Sequence, residues 1–373
     1  MNIRTKSNLP TLLTWATAAL IGAGNGLALA AGNSPSQFIG LDDFSNFTRS
    51  QSTNATAGVE TVLLSPVIQS ALDWNELIVS WNTEAPPGTF VKVEASAVLP
   101  THKTTFYTLG LWSPDNTLFP RTSVHGQLDN DGKVDTDTLI LKNLSHAVQI
   151  RITLGGTNTI PEKLKFIGLS FCNTHAPLPE LAPNQAAWGM IIPTPERSQN
   201  NYPQEKGWCS ATSVSMDLAR WAEILHRPEM NLDVPEVADK VLDQAFGTGN
   251  WPFNTAFAGS FPGMRSYVSR FDGMTELEDW VTNGIPVVIS ARWNLLKPGR
   301  KDTGNGHLIV CIGFTKDGDV VINDPATHMD RGESVRHIYK RADVIKSWET
   351  SHNTVYLIYP VGAKLPEDRY GHW

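Results

Sequence analysis

The sequence predicts two domains of different class: an antiparallel β-sandwich, jelly-roll-like in form, followed by an α+β half. Three observations carry this. Residues from about 60 to 172 read as short strands separated by turn residues, and no long helical period interrupts them. Ala176 to Asn184 carries three prolines and few apolar side chains large enough to pack, the composition of a linker. Beyond it, an apolar stripe at helical spacing gives way to apolar runs of strand length. The 373-residue chain is long enough for both units. The expected boundaries are 31–175 for the sandwich, 176–190 for the linker and 191–373 for the second domain.

In the first half the strands are Glu76–Trp81, Phe90–Ala95, Phe106–Trp112, Val148–Leu154 and Leu164–Leu169. Val148, Ile150, Ile152 and Leu154 alternate with polar neighbours, as on a sheet with one buried face. In the second half Val214, Leu218, Trp221, Ala222 and Leu225 form one helical stripe. Glu276–Val281 reads as a helix closed by Asn283-Gly284, with Val287–Ser290 a strand beyond it. His307–Phe314 and Val320–Asn323 form a hairpin around Lys316-Asp317-Gly318-Asp319, and Thr354–Tyr359 is a last strand.

The formal net charge is −7 and no basic run is present, which argues against nucleic acid as a partner. Arg4 and Lys6 precede an uncharged, largely apolar stretch, and Ala28-Leu29-Ala30 offers a cleavage site before Ala31. Residues 1–30 therefore read as a signal peptide, which predicts a periplasmic or extracellular protein without stable membrane insertion after cleavage. Gly22, Gly24, Asn25 and Gly26 make the segment a poor spanning helix. Three cysteines are too few for a disulfide framework. One thiol is expected to stay unpaired, with Cys209 the natural candidate, and a Cys172–Cys311 bridge would have to join the two domains.

Cys209 stands where a polar loop meets the first turn of the helix. At about 100° per residue it projects roughly opposite the apolar stripe, toward a cleft. The positive end of a helix favours thiolate over thiol. A buried structural cysteine is the competing reading. A thiol nucleophile needs a base, and the base an orienting group. His307 and Asp324 stand at the two open ends of the hairpin strands. If the turn is centred between Asp317 and Gly318, Asp324 faces Cys311 and shares a side with His307, while Asn323 points away. That register leaves Asp324 four positions short of His307, on the order of 13 Å along an ideal strand, so a bulge, tilt or longer turn must close the gap.

Gln204, Trp208-Cys209-Ser210, Gly306-His307-Leu308-Ile309-Val310 and Asn323-Asp324-Pro325-Ala326 resemble the bacterial double-glycine leader peptidase family. The closer likeness is to its secreted, stand-alone relatives, the peptidase C39-like group of papain-like cysteine peptidases. Asn250–Asn254, Glu278-Asp279-Trp280 and Gly284-Ile285-Pro286-Val287 resemble that group as well. The similarity spans about residues 190–360. It implies a papain-like second domain with Cys209 as nucleophile, His307 as general base and acid, Asp324 as orienter and Gln204 as an oxyanion donor. It also implies that the His-to-Asp interval is tolerated. The family cuts after small residues in leader sequences, a substrate that does not carry over because this chain has no transporter segment.

The function expected is hydrolysis of peptide bonds in a peptide or protein substrate, without a cofactor. A thiol-dependent amidase or acyltransferase acting on cell-wall peptide shares the same acyl-enzyme step, and a binding protein with an inactive second domain is the third reading. Trp208, Trp251 and Asn254 are the expected substrate-binding residues. Cell-wall or carbohydrate contact is a role open to the sandwich, though Trp81 and Trp112 sit on strands and read as core. A zinc site from Cys209, His307 and Asp324 lacks close ligand spacing, so no metal is expected. Asp129–Asp135 resembles a calcium loop, but Gln127 and Thr138 occupy the end positions, so a β-turn is the reading. His328 and His337 have no partner identifiable in the sequence.

Overall fold

The computed structural model describes residues 34–54, 58–157, 163–202 and 207–373. The signal segment and Gln204 lie outside them. Among the described residues no helix is long and apolar enough to cross a membrane.

The first half is a nine-stranded antiparallel sheet built from β1 (Ser36–Leu41), β2 (Thr48–Asn54), β3 (Gly58–Leu64), β4 (Ile68–Glu84), β5 (Thr89–Ala97), β6 (Tyr107–Trp112), β7 (Gly132–Asp135), β8 (Thr138–Gly156) and β9 (Lys163–Cys172). The long strands β4 and β8 each serve two sets of partners. The first part of β8 pairs with β4 and β7, and its second part with β3 and β5. Val148, Ile150, Ile152 and Leu154 are all buried as expected, but of the residues between them Gln149 and Arg151 are half-buried and Thr153 is buried, so the alternation holds only in part. They meet Trp74, Leu77, Val79 and Trp81 of β4 and Leu169 and Phe171 of β9 in one apolar cluster. Trp112 joins it. Asp129 accepts the Asp131 and Gly132 N–H groups in the turn before β7, as the β-turn reading requires.

The second half contains α1 (Cys209–Leu225), α2 (Val234–Val241), α3 (Trp251–Ser260), β10 (Met264–Arg270), α4 (Met274–Thr282), β11 (Val287–Arg292), β12 (Gly306–Phe314), β13 (Val320–Asn323), β14 (Arg336–Tyr339), α5 (Arg341–Trp348) and β15 (Thr354–Pro360). Its six strands form an antiparallel sheet in the order β10-β15-β11-β12-β13-β14. Of the stripe on α1, Val214, Leu218, Trp221 and Ala222 are buried and Leu225 is half-buried, but Ser210, Thr212, Ser213, Ser215 and Asp217 are buried too, so this helix is enclosed on every side through its first half. The chain between the two halves is docked in part: Trp188 donates its indole N–H to Glu278, and Ile192 N–H bonds the Ile312 carbonyl.

The two halves share their cores. Phe253 and Ala256 of α3 belong to the first cluster, while Phe38, Ile78 and Phe166 of the first sheet belong to the second. Among the described residues the edge strand β10 has no neighbouring strand on its outer side, and β4 side chains satisfy it instead. Asn82 accepts from Ser266 N–H at 3.1 Å and donates to the Ser266 carbonyl at 2.6 Å, and Ser80 Oγ accepts from Val268 N–H at 2.9 Å. Gly259 of α3 is required by this clasp, since a Cβ there would collide with the Asn82 amide. Gly259→Ala is expected to lower stability by about 1–3 kcal/mol, read as the shift in urea midpoint.

The three cysteines are free and buried, so the Cys172–Cys311 bridge does not form. Cys172 ends β9 opposite Ser36, whereas Cys311 lies inside β12 in the second core.

Candidate active site

A left-handed Gly207 (φ 97°) turns the chain into α1, and Trp208 caps the helix. Cys209 is its first residue, and the first turn carries no acidic side chain to compete for the positive helix end. Two hydroxyls fix this turn against the sheet. Ser210 Oγ pairs with Tyr356 Oη at 3.0 Å, and Ser213 Oγ donates to the Leu308 carbonyl at 3.0 Å. The second bond sets the helix beside the residue that follows His307.

The distance problem of the hairpin is solved by a bulge. Gly313 faces Val321 and Phe314 faces Val320, but Cys311 faces Ile322 and Val310 faces Asn323. Ile312 is thus an extra residue in β12. Carried past Asn323, the register sets Asp324 opposite Ile309, two positions from His307 instead of four, about 7 Å of strand. Without the bulge Asp324 would face Val310 and point to the wrong side of the sheet. The Asp317–Gly318 centring is therefore corrected, while the predicted sharing of a face is retained. Asn323 turns away and donates to the Thr194 and Pro195 carbonyls.

His307 Nε2 lies 2.7 Å from Asp324 Oδ1, with both side chains buried. That leaves Nδ1 as the ring nitrogen available to sulfur. The carboxylate also accepts Tyr339 Oη at 2.6 Å and the Ala326 N–H at 2.8 Å. Burial alone would raise the Asp324 pKa, but the His307 charge and these three hydrogen bonds hold it well below the usual carboxylate range. Burial would likewise lower His307, yet the Asp324 charge and the bonds to Asp324 and Cys209 raise it to about 10.

The three thiols make an internal comparison. Burial pushes Cys311 up to about 12 and raises Cys172. Burial also works against the Cys209 thiolate, but the hydrogen bond and charge of His307, together with the Leu308 and Ser210 N–H groups, bring its pKa below the ordinary value. Only this cysteine of the three is shifted toward the nucleophilic form.

Cys209 opens into a cavity of about 800 Å³, which Trp208 and Trp251 also line. Asn254 does not line it. Its amide is buried and donates to the Thr248 and Asn250 carbonyls, so it shapes the adjacent loop from behind. A second cavity of about 710 Å³, near Trp112, Lys240 and Phe257, contains no cysteine or histidine. Tyr339 was not legible as a site residue. It ends the four-residue β14, Arg336-His337-Ile338-Tyr339, which has no polar–apolar alternation and leaves Ile338 exposed. His337 stacks on it at 5.7 Å and pairs with Thr327 Oγ1, whereas His328 lies by Asp330. Tyr339→Phe is expected to cost about 1.5–3 kcal/mol, because it removes a bond to a buried carboxylate. It should also raise the pH at which acid unfolding begins, a shift measurable by urea titrations between about pH 3 and 7.

Among the described residues Asp272, Glu276 and His372 could group around an ion, with ligand atoms within 4.8 Å. Both ring nitrogens of His372 are already engaged, Nδ1 by Glu276 at 2.6 Å and Nε2 by Ser34 at 3.0 Å, which makes the group an ion-pair network.

A helix-borne thiol, a buried imidazole and an orienting carboxylate are the elements of a cysteine-peptidase-like site. Residues 15–166 match the Peptidase C39 N-terminal domain, and residues 191–356 match the Peptidase_C39 like family. The chain belongs to the C39-like peptidase family. Among solved structures, a Bacillus anthracis protein provisionally described as a C39-like peptidase aligns at TM-score 0.35 and 17% identity, over 48% of this chain and 98% of that one. A carbohydrate-binding module of the β-sandwich superfamily aligns at TM-score 0.15 and 12% identity, over 38% of this chain and 56% of that one. Neither likeness is close enough to bear on the chemistry. No curated protein matches the chain.

Proposed function

We propose that the chain is an exported cysteine peptidase that hydrolyses peptide bonds through the Cys209 thiolate, acting in the periplasm or outside the cell. In this reading residues 191–373 are a papain-like domain and residues 31–175 a β-sandwich joined to it. The observation that carries it is geometric: Cys209, the first residue of α1, lines a cavity and contacts a buried His307 whose Nε2 lies 2.7 Å from Asp324 Oδ1. The thiolate attacks the scissile carbonyl carbon, and the developing oxyanion takes the Cys209 N–H and the side-chain amide of Gln204. Each such donor contributes about 3–4 kcal/mol in comparable sites. The His307 imidazolium gives its proton to the leaving amine, then as imidazole removes one from the water that releases the acid.

A thiol-directed acyl-mimic probe should label the wild-type chain and leave Cys209→Ala unlabelled. The same pair compared on a peptide library should show new amines released by the wild type alone. A folded wild type that neither takes the probe nor releases amines refutes the reading. Release from purified cell wall but not from the library would favour the amidase alternative.

A further inference from the structure

We infer that the first half supplies a substrate-contacting wall of the Cys209 cleft, formed by the turn Asp135–Thr138 between β7 and β8, and that this wall determines which acyl chains are accepted. The inference rests on the cysteine peptidase reading and adds a specificity element to it.

Four residues of the turn, Asp135 to Thr138, line the same cavity as Cys209. The contact is a built joint. Asp137 is buried, and its Oδ2 accepts the Trp251 N–H at 2.9 Å, at the start of α3. Trp251 lines the cavity beside it. A second joint holds a further part of the rim. Asp243 accepts from Ser123 N–H at 3.0 Å, Arg121 donates to the Lys240 carbonyl, and Arg121 O accepts from Gln244 N–H at 2.9 Å. These contacts anchor the loop that carries Gly247, Thr248 and Gly249 into the cavity.

The turn itself is strained. Thr136 adopts φ 58°, the left-handed region that a β-branched residue avoids. Retention of such a residue at the face of a cleft, where glycine would relieve it, points to a use for its side chain. Three glycines that also line the cavity are open, with no atom near a Cβ added at Gly207, Gly247 or Gly304. Side-chain selection must therefore come from the walls that have side chains, while the glycines leave room for the passage of a peptide backbone. The charge of the turn sets the preference. Glu76 on the same side is neutralised by Arg270 at 2.6 Å, whereas Asp135 is largely exposed with Lys133 at 3.3 Å. The wall thus presents acceptors, and it fits a peptide residue bearing an amine or amide rather than a carboxylate.

Two variants of the full chain test this. Thr136→Gly removes the strain with the side chain, so its melting temperature should not fall. Its iodoacetamide labelling at Cys209 should stay within about twofold of wild type, while kcat/KM on peptides changes about tenfold, mainly in KM. Asp135→Lys should shift the library profile from amine- and amide-bearing residues toward carboxylate-bearing ones. Unchanged kcat/KM and an unchanged profile in both variants, with labelling intact, overturn the wall and leave the peptidase reading standing. Failure of the wild type to be labelled overturns both.

Discussion

Asp324→Ala is expected to lower peptide turnover by roughly 10³–10⁴-fold and to destabilise the fold by about 3–5 kcal/mol at neutral pH. Both effects have one origin. His307 is buried, and its charge is held chiefly by one carboxylate at 2.7 Å, with a smaller share from Cys209. Without that partner the ring must lose its proton or unfold its surroundings, and it loses the bond that fixes its tautomer. Asp324→Asn should retain more stability yet little more activity, since an amide keeps the shape but not the charge. The pH dependence has a definite sign. Asp324 is lowered in the fold from 3.8, so its contribution is complete above about pH 4 and is lost as pH falls through the native value. His307 is raised from 6.5 to about 10, so its share is complete below 6.5 and fades as pH climbs through 10. Urea titrations should show that Asp324→Ala erases the acid limb. A variant with wild-type acid sensitivity would show that the carboxylate is not held as described.

His307→Gln is expected to slow iodoacetamide labelling of Cys209 by roughly 10–100-fold at pH 6. An ordinary thiol is almost wholly protonated there, and the shift at Cys209 depends first on the imidazole among its favourable contacts. The fall is smaller than the loss of thiolate, because a less stabilised thiolate is the better nucleophile. The variant should recover rate steadily as pH rises toward the ordinary thiol range, whereas the wild type should label well on the acid side of neutrality. Coincident pH profiles for the two proteins would dissolve the proposed ion pair.

Local pattern carried much of the fold into the sequence. The alternation at Val148–Leu154 and the turn residues Lys316–Asp319 correspond to β8 and the β12–β13 hairpin, and the stripe at Val214–Leu225 to α1. Cys209, His307 and Asp324 stood out as candidates by residue type and by their places on a helix start and a hairpin, and their roles came from the resemblance to the C39-like group. What escaped depends on contacts far apart in the chain. The bulge at Ile312 has no composition signal, yet it decides which side of the sheet Asp324 faces. Helix α3 is buried almost all round, so it has no polar face to give it a period, although Asn250 caps it and Pro252 stands in its first turn. Tyr339 reaches the site only because β14 adds a strand beyond β13. Gln204 remains a proposal drawn from resemblance, outside the described residues.

The clasp between β4 and β10 has a practical outcome for handling the protein. Residues 177–182 have no regular structure, and they invite a protease. A cut there would sever one covalent link but not the shared apolar interior or the Asn82 and Ser80 bonds. The fragments should therefore travel together through gel filtration and separate only in denaturant. Conversely, a gene fragment encoding only the later portion would display a bare strand margin, and it should precipitate rather than report on catalysis.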